Sequence, residues 1–211
     1  MSFVLFMSRS PTVTNPISLA VKPTLTGDKV LLRPVAVEDA DFIPDDDDPE
    51  AMRLTGSHRR PEHSRELMRE WYATRADHDD RLDLAVVDRA TGQFTGEVVL
   101  NELDPDNESC NFRILLYGEA NRDRGLGTEA TRLILRHAFE NVGLDRVSLE
   151  VYEFNPRARR VYEKVGFVFE GTRRDALHWD REWIDAHVMS VLAPEWAQHH
   201  GHPSVVPSAL A

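Results

Sequence analysis

One stretch decides the fold of this chain: Asn121-Arg122-Asp123-Arg124-Gly125-Leu126-Gly127-Thr128-Glu129-Ala130. A predicted strand ends near Tyr117, and the two glycines open a helix whose apolar residues recur at helical spacing up to Phe139. Glycines let backbone N–H groups approach an oxygen-rich anion, and the start of a helix adds a partial positive charge. Arg122 and Arg124 add formal charge, so the stretch predicts a pyrophosphate site.

The same glycines allow two other interpretations. Gly125-x-Gly127-x-x-Ala130 matches the dinucleotide-binding fingerprint, with Glu150 near the place of a ribose-binding carboxylate. In that fold the first glycine follows its strand almost at once, whereas here seven residues separate Tyr117 from Gly125. The second alternative is that the glycines only shape the start of a helix. A nucleotide P-loop is excluded, because no Gly-Lys-Ser/Thr follows.

Strand and helix patterns alternate on both sides of this stretch. Upstream, a first strand over 30–32 precedes a helical region over 38–74, which prolines and glycines break into at least two helices. Three strand-like runs with short polar connections then predict an antiparallel meander, over 82–87, 94–100 and 109–117. Downstream we expect helices over 126–141 and 156–165 and strands over 146–152, 167–170 and 187–192. This order predicts an α/β (α+β) fold: a mixed, mostly antiparallel sheet of six to seven strands with flanking helices.

Length and composition fit one folded domain with an extension at each end. Hydrophobic residues make up 41% of the 211 residues and charged residues 29%, which supports a core and excludes a wholly disordered chain. Residues 1–24 and 194–211 lack either periodicity, so we expect a flexible N-terminal extension, a domain over 25–193 and a C-terminal tail. For the histidines of that tail, His199, His200 and His202, a solvated segment is favoured over a metal site.

Charge and cysteine content exclude several classes of function. With 25 Lys and Arg against 36 Asp and Glu, the net charge of −11 argues against nucleic-acid binding and favours a cationic partner. The single cysteine, Cys110, excludes an internal disulfide and a cysteine zinc site, and we expect no bound metal. No apolar run is long enough to span a membrane and no signal peptide is evident, so we expect a cytoplasmic protein.

A second block specifies its own helix: Asn155-Pro156-Arg157-Ala158-Arg159-Arg160-Val161-Tyr162-Glu163-Lys164-Val165-Gly166-Phe167. Asn155 is a good N-cap, Pro156 fits the first helical position and Gly166 suits the end of the helix. The spacing places Tyr162 on the apolar face, directed toward the sheet. Taken alone, these residues favour a half-buried core tyrosine with a satisfied hydroxyl.

Together the two blocks resemble the GNAT superfamily of acyl-CoA-dependent N-acyltransferases. The run 122–127 matches the superfamily's Gln/Arg-x-x-Gly-x-Gly/Ala loop, and the second block is similar to its Asn-x-x-Ala-x-x-x-Tyr-x-Lys-x-Gly-Phe segment. The Gly-Thr-Glu-Ala and Tyr-Glu-Lys variants resemble the branch of ribosomal-protein N-terminal acetyltransferases. The resemblance covers residues 25–193 and implies a twisted sheet whose central strands are splayed.

The resemblance also implies roles for individual residues. Acetyl-CoA, or another acyl-CoA, would be held by the backbone of Arg122, Asp123, Arg124, Gly125, Leu126, Gly127 and Thr128. Its pantetheine arm would be aligned by the strand Ile114, Leu115 and Leu116. Asn155 would hydrogen-bond that arm, and Tyr162 would protonate the departing thiolate. Glu97, on a strand of the meander, is a candidate general base; an exposed strand residue is the alternative, with the proton leaving through water.

For several further side chains, a structural and a functional interpretation are both open. The cluster Arg157, Arg159 and Arg160 either meets the 3′-phosphate of the cofactor or forms a solvated face. His178, Trp179 and the stretch His58-Arg59-Arg60 either line the mouth for the acceptor or are ordinary structural residues.

The leading hypothesis is an N-acetyltransferase that moves an acetyl group from acetyl-CoA to a primary amine by direct attack in a ternary complex. A protein N-terminus and a small cationic amine both fit as the acceptor. Three alternatives stay open: an enzyme that uses another acyl-CoA such as succinyl-CoA, a non-catalytic acyl-CoA-binding module, and a nicotinamide-dependent oxidoreductase. The amine acceptor is the expected partner, with no nucleic acid and no membrane, and a homodimer is left open.

Overall fold

The centre of the fold is one sheet with helices on both faces. The computed structural model describes residues 17–43, 49–56 and 65–200. In chain order its strands are β1 Leu25–Thr26, β2 Val30–Pro34, β3 Leu82–Asp88, β4 Gln93–Asp104, β5 Ser109–Leu116, β6 Arg146–Tyr152, β7 Val168–Trp179 and β8 Glu182–Leu192. Its helices are α1 Pro49–Thr55, α2 Arg65–Arg75, α3 Leu126–Arg136, α4 Pro156–Val165 and α5 Ala193–His200, with a short 3-10 helix over Val37–Phe42.

Eight strands form the sheet in the order β1-β2-β3-β4-β5-β6-β8-β7. Every neighbouring pair is antiparallel except β5 and β6, which run parallel. The predicted class, a mixed and mostly antiparallel sheet with flanking helices, is confirmed. The predicted number of six to seven strands is too low, because β1 is a two-residue strand that is too short to leave a pattern in the sequence.

The parallel pair in the middle of the sheet is short. β5 and β6 are paired only over 109–111 and 146–148. Beyond that point β5 stays bonded to β4 as far as Leu116, and β6 stays bonded to β8 as far as Tyr152. The two strands therefore diverge and open a cleft between them, which confirms the expected splayed central strands.

The apolar core lies between the sheet and helices α3 and α4. Side chains that alternate toward this face, such as Leu84, Leu100 and Leu149, are almost fully buried together with Ile134 of α3 and Val165 of α4. The helix that begins with α3 continues through one wider turn over His137–Val142 and ends at Gly143, whose φ is 84°. The predicted helix over 126–141 and its glycine stop are confirmed. Because the apolar side chains of α3 are buried against the sheet, the position of the start of this helix is fixed as well.

The last two strands differ from the prediction. The expected strands over 167–170 and 187–192 are the far ends of one long hairpin, β7–β8. Its two-residue turn is Asp180-Arg181, and both residues have positive φ, 48° and 69°. Such turns usually carry Asn-Gly or Asp-Gly, so this hairpin has no turn signal in the sequence.

Both ends of the domain also extend beyond the predicted limits of 25–193. The expected tail begins as helix α5, in which Trp196 is 3% exposed and stacks on Phe139 with ring centroids 5.6 Å apart. At the other end Leu19 is 1% exposed and belongs to the core. Residues 1–16 and 201–211, including His202, lie outside the described residues. No helix of the described part is long and apolar enough to cross a membrane.

Candidate active site

A cleft of about 770 Å³ occupies the space between the diverging strands. Its walls are β5 over 111–116, the loop 121–123, the start of α3, β6 over 150–152, the start of α4, and α1. Most residues that the sequence assigned to a cofactor line this cleft: Ile114, Leu115, Leu116, Arg122, Asp123, Gly125, Leu126, Gly127, Thr128 and Asn155. The tertiary structure thus brings the two sequence blocks together.

One end of the cleft is the start of α3. Gly125 is the N-cap residue in the left-handed region, with φ of 82°, and as a glycine it offers the helix no side-chain cap. The N–H groups of the first helical turn, at Leu126, Gly127 and Thr128, have no preceding helical carbonyl to bond. Uncapped donors and the positive end of the helix dipole make this end suited to an anion such as a pyrophosphate.

The two arginines of the loop point in different directions. Arg122 is buried, lines the cleft and forms an ion pair with Glu50 of α1. The side chain of Arg124 turns away from the cleft, and its Nη2 lies 2.7 Å from Oδ2 of Asp88. Of the two arginines expected to add charge to an anion site, Arg122 therefore has its side chain in the cleft wall, and Arg124 has its side chain on Asp88.

The open edge of β5 forms the long side of the cleft. Past Asn111, β4 is the only strand among the described residues that pairs with β5. Backbone N–H and C=O groups on such an edge are free to pair with an extended ligand that carries amide groups. Gly127 of α3 brings the helix close to this strand, since a Cβ at that position would lie 3.4 Å from Cδ1 of Leu116.

Helix α4 supplies the two polar side chains that the second block predicts. Oδ1 of Asn155 accepts a hydrogen bond from the backbone N–H of Ala158 at 3.1 Å, which confirms the N-cap. Tyr162 is 9% exposed, lines the cleft and packs edge-on against Phe112 with ring centroids 6.0 Å apart. Burial raises the pKa of Tyr162 to about 12, so its hydroxyl keeps its proton near neutral pH. Within the described part of the chain that hydroxyl has no hydrogen-bond partner, in contrast to the satisfied core tyrosine that the residues alone favour.

Glu97 lies on the opposite face of the sheet from Tyr162. It pairs with Leu115 across the β4–β5 ladder, and alternation along the strand turns its side chain toward α2. The hydroxyl of Tyr72 on α2 donates a short hydrogen bond to Oε1 of Glu97, and the hydroxyl of Tyr117 donates to the same atom at 3.4 Å. Burial raises the pKa of Glu97 to about 7 despite these hydrogen bonds. Glu97 is neither the exposed strand residue that was one alternative nor part of the cleft wall.

Charged residues of the sheet line the rest of the cleft, and of these sequence reasoning had singled out only Glu150, as a ribose-binding carboxylate. Glu102 sits at a bulge of β4 with φ of 54°, close to the point where β5 and β6 part. Glu150 of β6 forms an ion pair with Arg173 of β7, and Arg113 of β5 lies in the same wall. A bulge reverses the alternation of a strand, so the pattern of β4 carried no signal for Glu102.

The remaining predicted side chains separate into two groups. Arg157 lines the cleft, with its Nε 3.3 Å from Oδ1 of Asp123, whereas Arg159 pairs with Glu163 on the surface of α4. His178 and Trp179 lie beside the turn of the β7–β8 hairpin and are not part of the cleft wall. The stretch 58–60 falls outside the described residues.

The cleft thus combines splayed central strands, the glycine-opened start of a helix and a tyrosine hydroxyl, an arrangement that suits an acyltransferase whose acyl donor carries phosphate groups. The sequence model of the GNAT acetyltransferase domain matches residues 29–168. The chain therefore belongs to the GNAT acetyltransferase family and is an acyl-CoA-dependent N-acetyltransferase. The dinucleotide interpretation is wrong, because the sheet is mostly antiparallel and Glu150 is paired with Arg173.

Known proteins resemble the chain over most of its length. It is 27% identical to the SPbeta prophage-derived uncharacterized N-acetyltransferase YokL of Bacillus subtilis over 83% of this chain and 97% of that protein. It is 31% identical to the "Putative ribosomal N-acetyltransferase YdaF" of Bacillus subtilis over 50% of this chain and 57% of that protein.

Solved structures share the fold. A GCN5-related N-acetyltransferase from Brucella melitensis superimposes with a TM-score of 0.71 at 26% identity, over 86% of this chain and 83% of that chain. The spermidine N-acetyltransferase from Vibrio cholerae, solved in complex with CoA and spermine, gives 0.72 at 23% identity, over 81% and 99% of the two chains.

Proposed function

We propose that the protein transfers an acetyl group from acetyl-CoA to a primary amine of a small cationic molecule. The observation that carries this proposal is that one cleft joins an anion-binding helix start, an unpaired strand edge and the hydroxyl of Tyr162. A CoA thioester has a pyrophosphate near one end and an acyl sulfur at the other. The pyrophosphate needs the N–H donors of a helix start, and the sulfur needs a proton donor such as the tyrosine hydroxyl at the other end of the same groove.

Each part of the cleft then has a task. The backbone from Arg122 to Thr128 binds the pyrophosphate, and the edge of β5 over 114–116 aligns the amides of the arm and polarises the acyl carbonyl. Asn155 donates from its free amide nitrogen to the arm. When bound, acetyl-CoA supplies a thioester carbonyl that a neutral amine attacks. Tyr162 hydrogen-bonds the sulfur and gives it a proton as the thiolate leaves.

The acceptor proposal rests on Glu102. Its side chain is exposed in the cleft, at the end where β5 and β6 part and away from the start of α3. Among the described residues it has no side-chain partner, so its charge is available to an ammonium group. The net charge of −11 favours a cationic acceptor in the same sense. The spermidine N(1)-acetyltransferase of Escherichia coli, 25% identical over 59% of this chain and 66% of that protein, acts on such a molecule.

A protein N-terminus is the second candidate acceptor. It is favoured by the similarity to the ribosomal acetyltransferase named above, which is 31% identical over 105 residues. Deprotonation of either acceptor is assigned to water in the cleft, since Glu97 does not reach the cleft wall.

A panel of acceptors tests the proposal. Purified protein is incubated with acetyl-CoA or succinyl-CoA and with spermidine or a short peptide with a free N-terminus, and released thiol is measured together with product mass. We expect turnover with acetyl-CoA and spermidine. Turnover with the peptide alone would overturn the small-amine acceptor, turnover with succinyl-CoA alone would overturn the acyl donor, and CoA binding without any turnover would indicate a non-catalytic module.

Two matched glutamates sharpen the same test. Glu102→Gln removes the cleft charge and is expected to raise the KM for spermidine about fivefold while the KM for acetyl-CoA stays within twofold. Glu108→Gln is the control, because Glu108 also has positive φ, 49°, and lies in the β4–β5 turn outside the cleft wall. An equal KM for spermidine in both variants would remove Glu102 from the acceptor site.

A further inference from the structure

Helix α3 is tied to the turn between β1 and β2 by one carboxylate. Glu129, in the first turns of α3, accepts hydrogen bonds from the backbone N–H groups of three consecutive residues: Asp28 at 3.0 Å, Lys29 at 2.7 Å and Val30 at 2.8 Å. Hydrogen bonds to a charged acceptor are about twice as strong as neutral ones. Glu129 is absent from the cleft wall, so this contact holds the helix and does not touch a ligand.

The loop that precedes α3 is held from the same side. Nζ of Lys29 donates to the backbone carbonyl of Arg124 at 2.9 Å. The guanidinium of Arg124 in turn pairs with Asp88, which is the strand partner of Val30 in the β2–β3 ladder. The residue directly before the N-cap is therefore fixed at its carbonyl and at its side chain.

Gly27 makes the close approach of the turn to the helix feasible. A Cβ at this position would lie 2.7 Å from Cδ and 2.8 Å from Oε2 of Glu129. Any larger residue would push the carboxylate away from its three donors. The contact thus depends on Glu129 in α3 and on Gly27 in the β1–β2 turn.

We propose that Glu129 is a positioning residue for the cofactor site. By anchoring α3 to the buried strand β2, it orients the N–H groups of Leu126, Gly127 and Thr128 toward the anion. The inference rests on the proposed function in one respect, namely that this anion is the pyrophosphate of the acyl-CoA. Aligned donors bind an anion strongly only while their geometry is held, so release of the anchor weakens binding without removing any ligand contact.

Calorimetric titration with CoA and steady-state kinetics test this role. In Glu129→Gln, an amide NH₂ group replaces one carboxylate oxygen, so that an N–H group of the side chain faces a backbone N–H donor. In Gly27→Ala, the added methyl group displaces the intact carboxylate. We expect the Kd for CoA and the KM for acetyl-CoA to rise about tenfold in both variants, with kcat at saturating acetyl-CoA within twofold of the wild type.

The β7–β8 edge offers matched controls. Glu170 bridges Arg146 and Ser190 and does not line the cleft, and a Cβ at Gly171 would meet no atom of the described residues within 4 Å. Glu170→Gln and Gly171→Ala are expected to keep the wild-type Kd for CoA, which separates positioning from a general loss of stability.

The outcomes distinguish this inference from the function on which it rests. A wild-type protein that fails to bind CoA would overturn the proposed function itself. Wild-type binding of CoA with an unchanged Kd in Glu129→Gln or in Gly27→Ala would overturn the positioning role. Should Glu129→Gln fail to fold, Gly27→Ala carries the test, since it displaces the carboxylate of Glu129 and leaves that residue in place.

Discussion

The two walls of the cleft are built on different principles. The proposed cofactor wall comprises Ile114–Leu116, Arg122, Asp123, Gly125–Thr128, Asn155 and Tyr162, and it offers backbone donors, glycines and a protonated tyrosine. The proposed acceptor wall comprises Glu50, Glu102, Arg113, Glu150 and Arg173, and it offers charged side chains. Under the proposed function, the constant ligand meets backbone geometry that burial fixes, whereas the variable ligand meets side chains that are easily replaced.

The ion pairs of the acceptor wall illustrate this difference. Arg173 and Glu150 are 59% and 39% exposed, so their pair contributes little to stability and can rearrange for an acceptor. On the cofactor wall, Arg122 is 6% exposed and Tyr162 is 9% exposed. We therefore expect substitutions on the cofactor wall to change kcat and KM more than substitutions on the acceptor wall do. The predictions below run from the largest expected change to the smallest.

The largest effect is expected for Tyr162→Phe. Loss of the hydroxyl removes the proton donor for the leaving thiolate, so kcat falls about 100-fold while the Kd for CoA changes less than twofold. Steady-state kinetics and calorimetry measure the two quantities. Tyr152→Phe is the control, because Tyr152 also lines the cleft but lies on β6 away from α4, and we expect its kcat within threefold of wild type. A kcat for Tyr162→Phe that equals that of the control would exclude the acid role.

Gly127→Ala is expected to weaken cofactor binding without loss of stability. Alanine is favoured over glycine within a helix by up to about 1 kcal/mol, so Tm should hold or rise. The added methyl group would lie 3.4 Å from Leu116 and narrow the space between α3 and β5. We expect the KM for acetyl-CoA to rise about fivefold. A KM that is unchanged, with Gly171→Ala as reference, would show that the helix start does not need this glycine.

Glu97→Gln is expected to alter the pH dependence of stability. The folded-state pKa of Glu97 is raised to about 7, above its ordinary value of 4.5, so the folded protein keeps a proton that the unfolded chain releases between these values. The free energy of unfolding of the wild type therefore falls as pH rises from about 4.5 to 7. In Glu97→Gln this contribution is absent, because glutamine does not titrate. Between pH 5 and pH 8 we expect the wild type to lose about 1 to 3 kcal/mol more than Glu97→Gln, measured by urea unfolding.

The same variant decides the proposed base. If Glu97 accepted the proton of the amine, its removal would abolish the acidic limb of the pH–rate profile of kcat/KM. An unchanged profile together with the altered pH dependence of stability would confine Glu97 to the contact between α2 and the sheet.

The smallest effect is expected where the two walls meet. Glu50 of α1 pairs with Arg122 across the cleft, and its side chain is 59% exposed. Glu50→Gln should change the KM values for acetyl-CoA and for the amine less than threefold, because the glutamine keeps an oxygen acceptor for the buried Arg122 and the carboxylate that it replaces lies largely in water. A tenfold rise in the KM for acetyl-CoA alone would place α1 in the cofactor wall.

Sequence reasoning was accurate where local rules and burial agree. Helices α3 and α4 begin and end at residues whose caps have local causes, namely Gly125, Asn155 and Gly166. It failed at α5, because the eight residues of this helix are too few to show a clear apolar period, although Pro194 is tolerated in the first turn of a helix. It also failed at the Asp180-Arg181 turn, whose positive φ values suit glycine and asparagine better than the residues present.

The sequence by itself determined the fold class, the glycine-opened start of α3 and the caps of α4, because each depends on short-range periodicity, on caps and on glycines at fixed spacing. Only the tertiary structure decided that the side chain of Arg124 pairs with Asp88 outside the cleft, that Glu97 faces α2, and that Glu102 lines the cleft. These outcomes depend on strand register, on a bulge and on pairing between distant strands. The local sequence pattern does not indicate the direction of a side chain when contacts between distant residues set that direction.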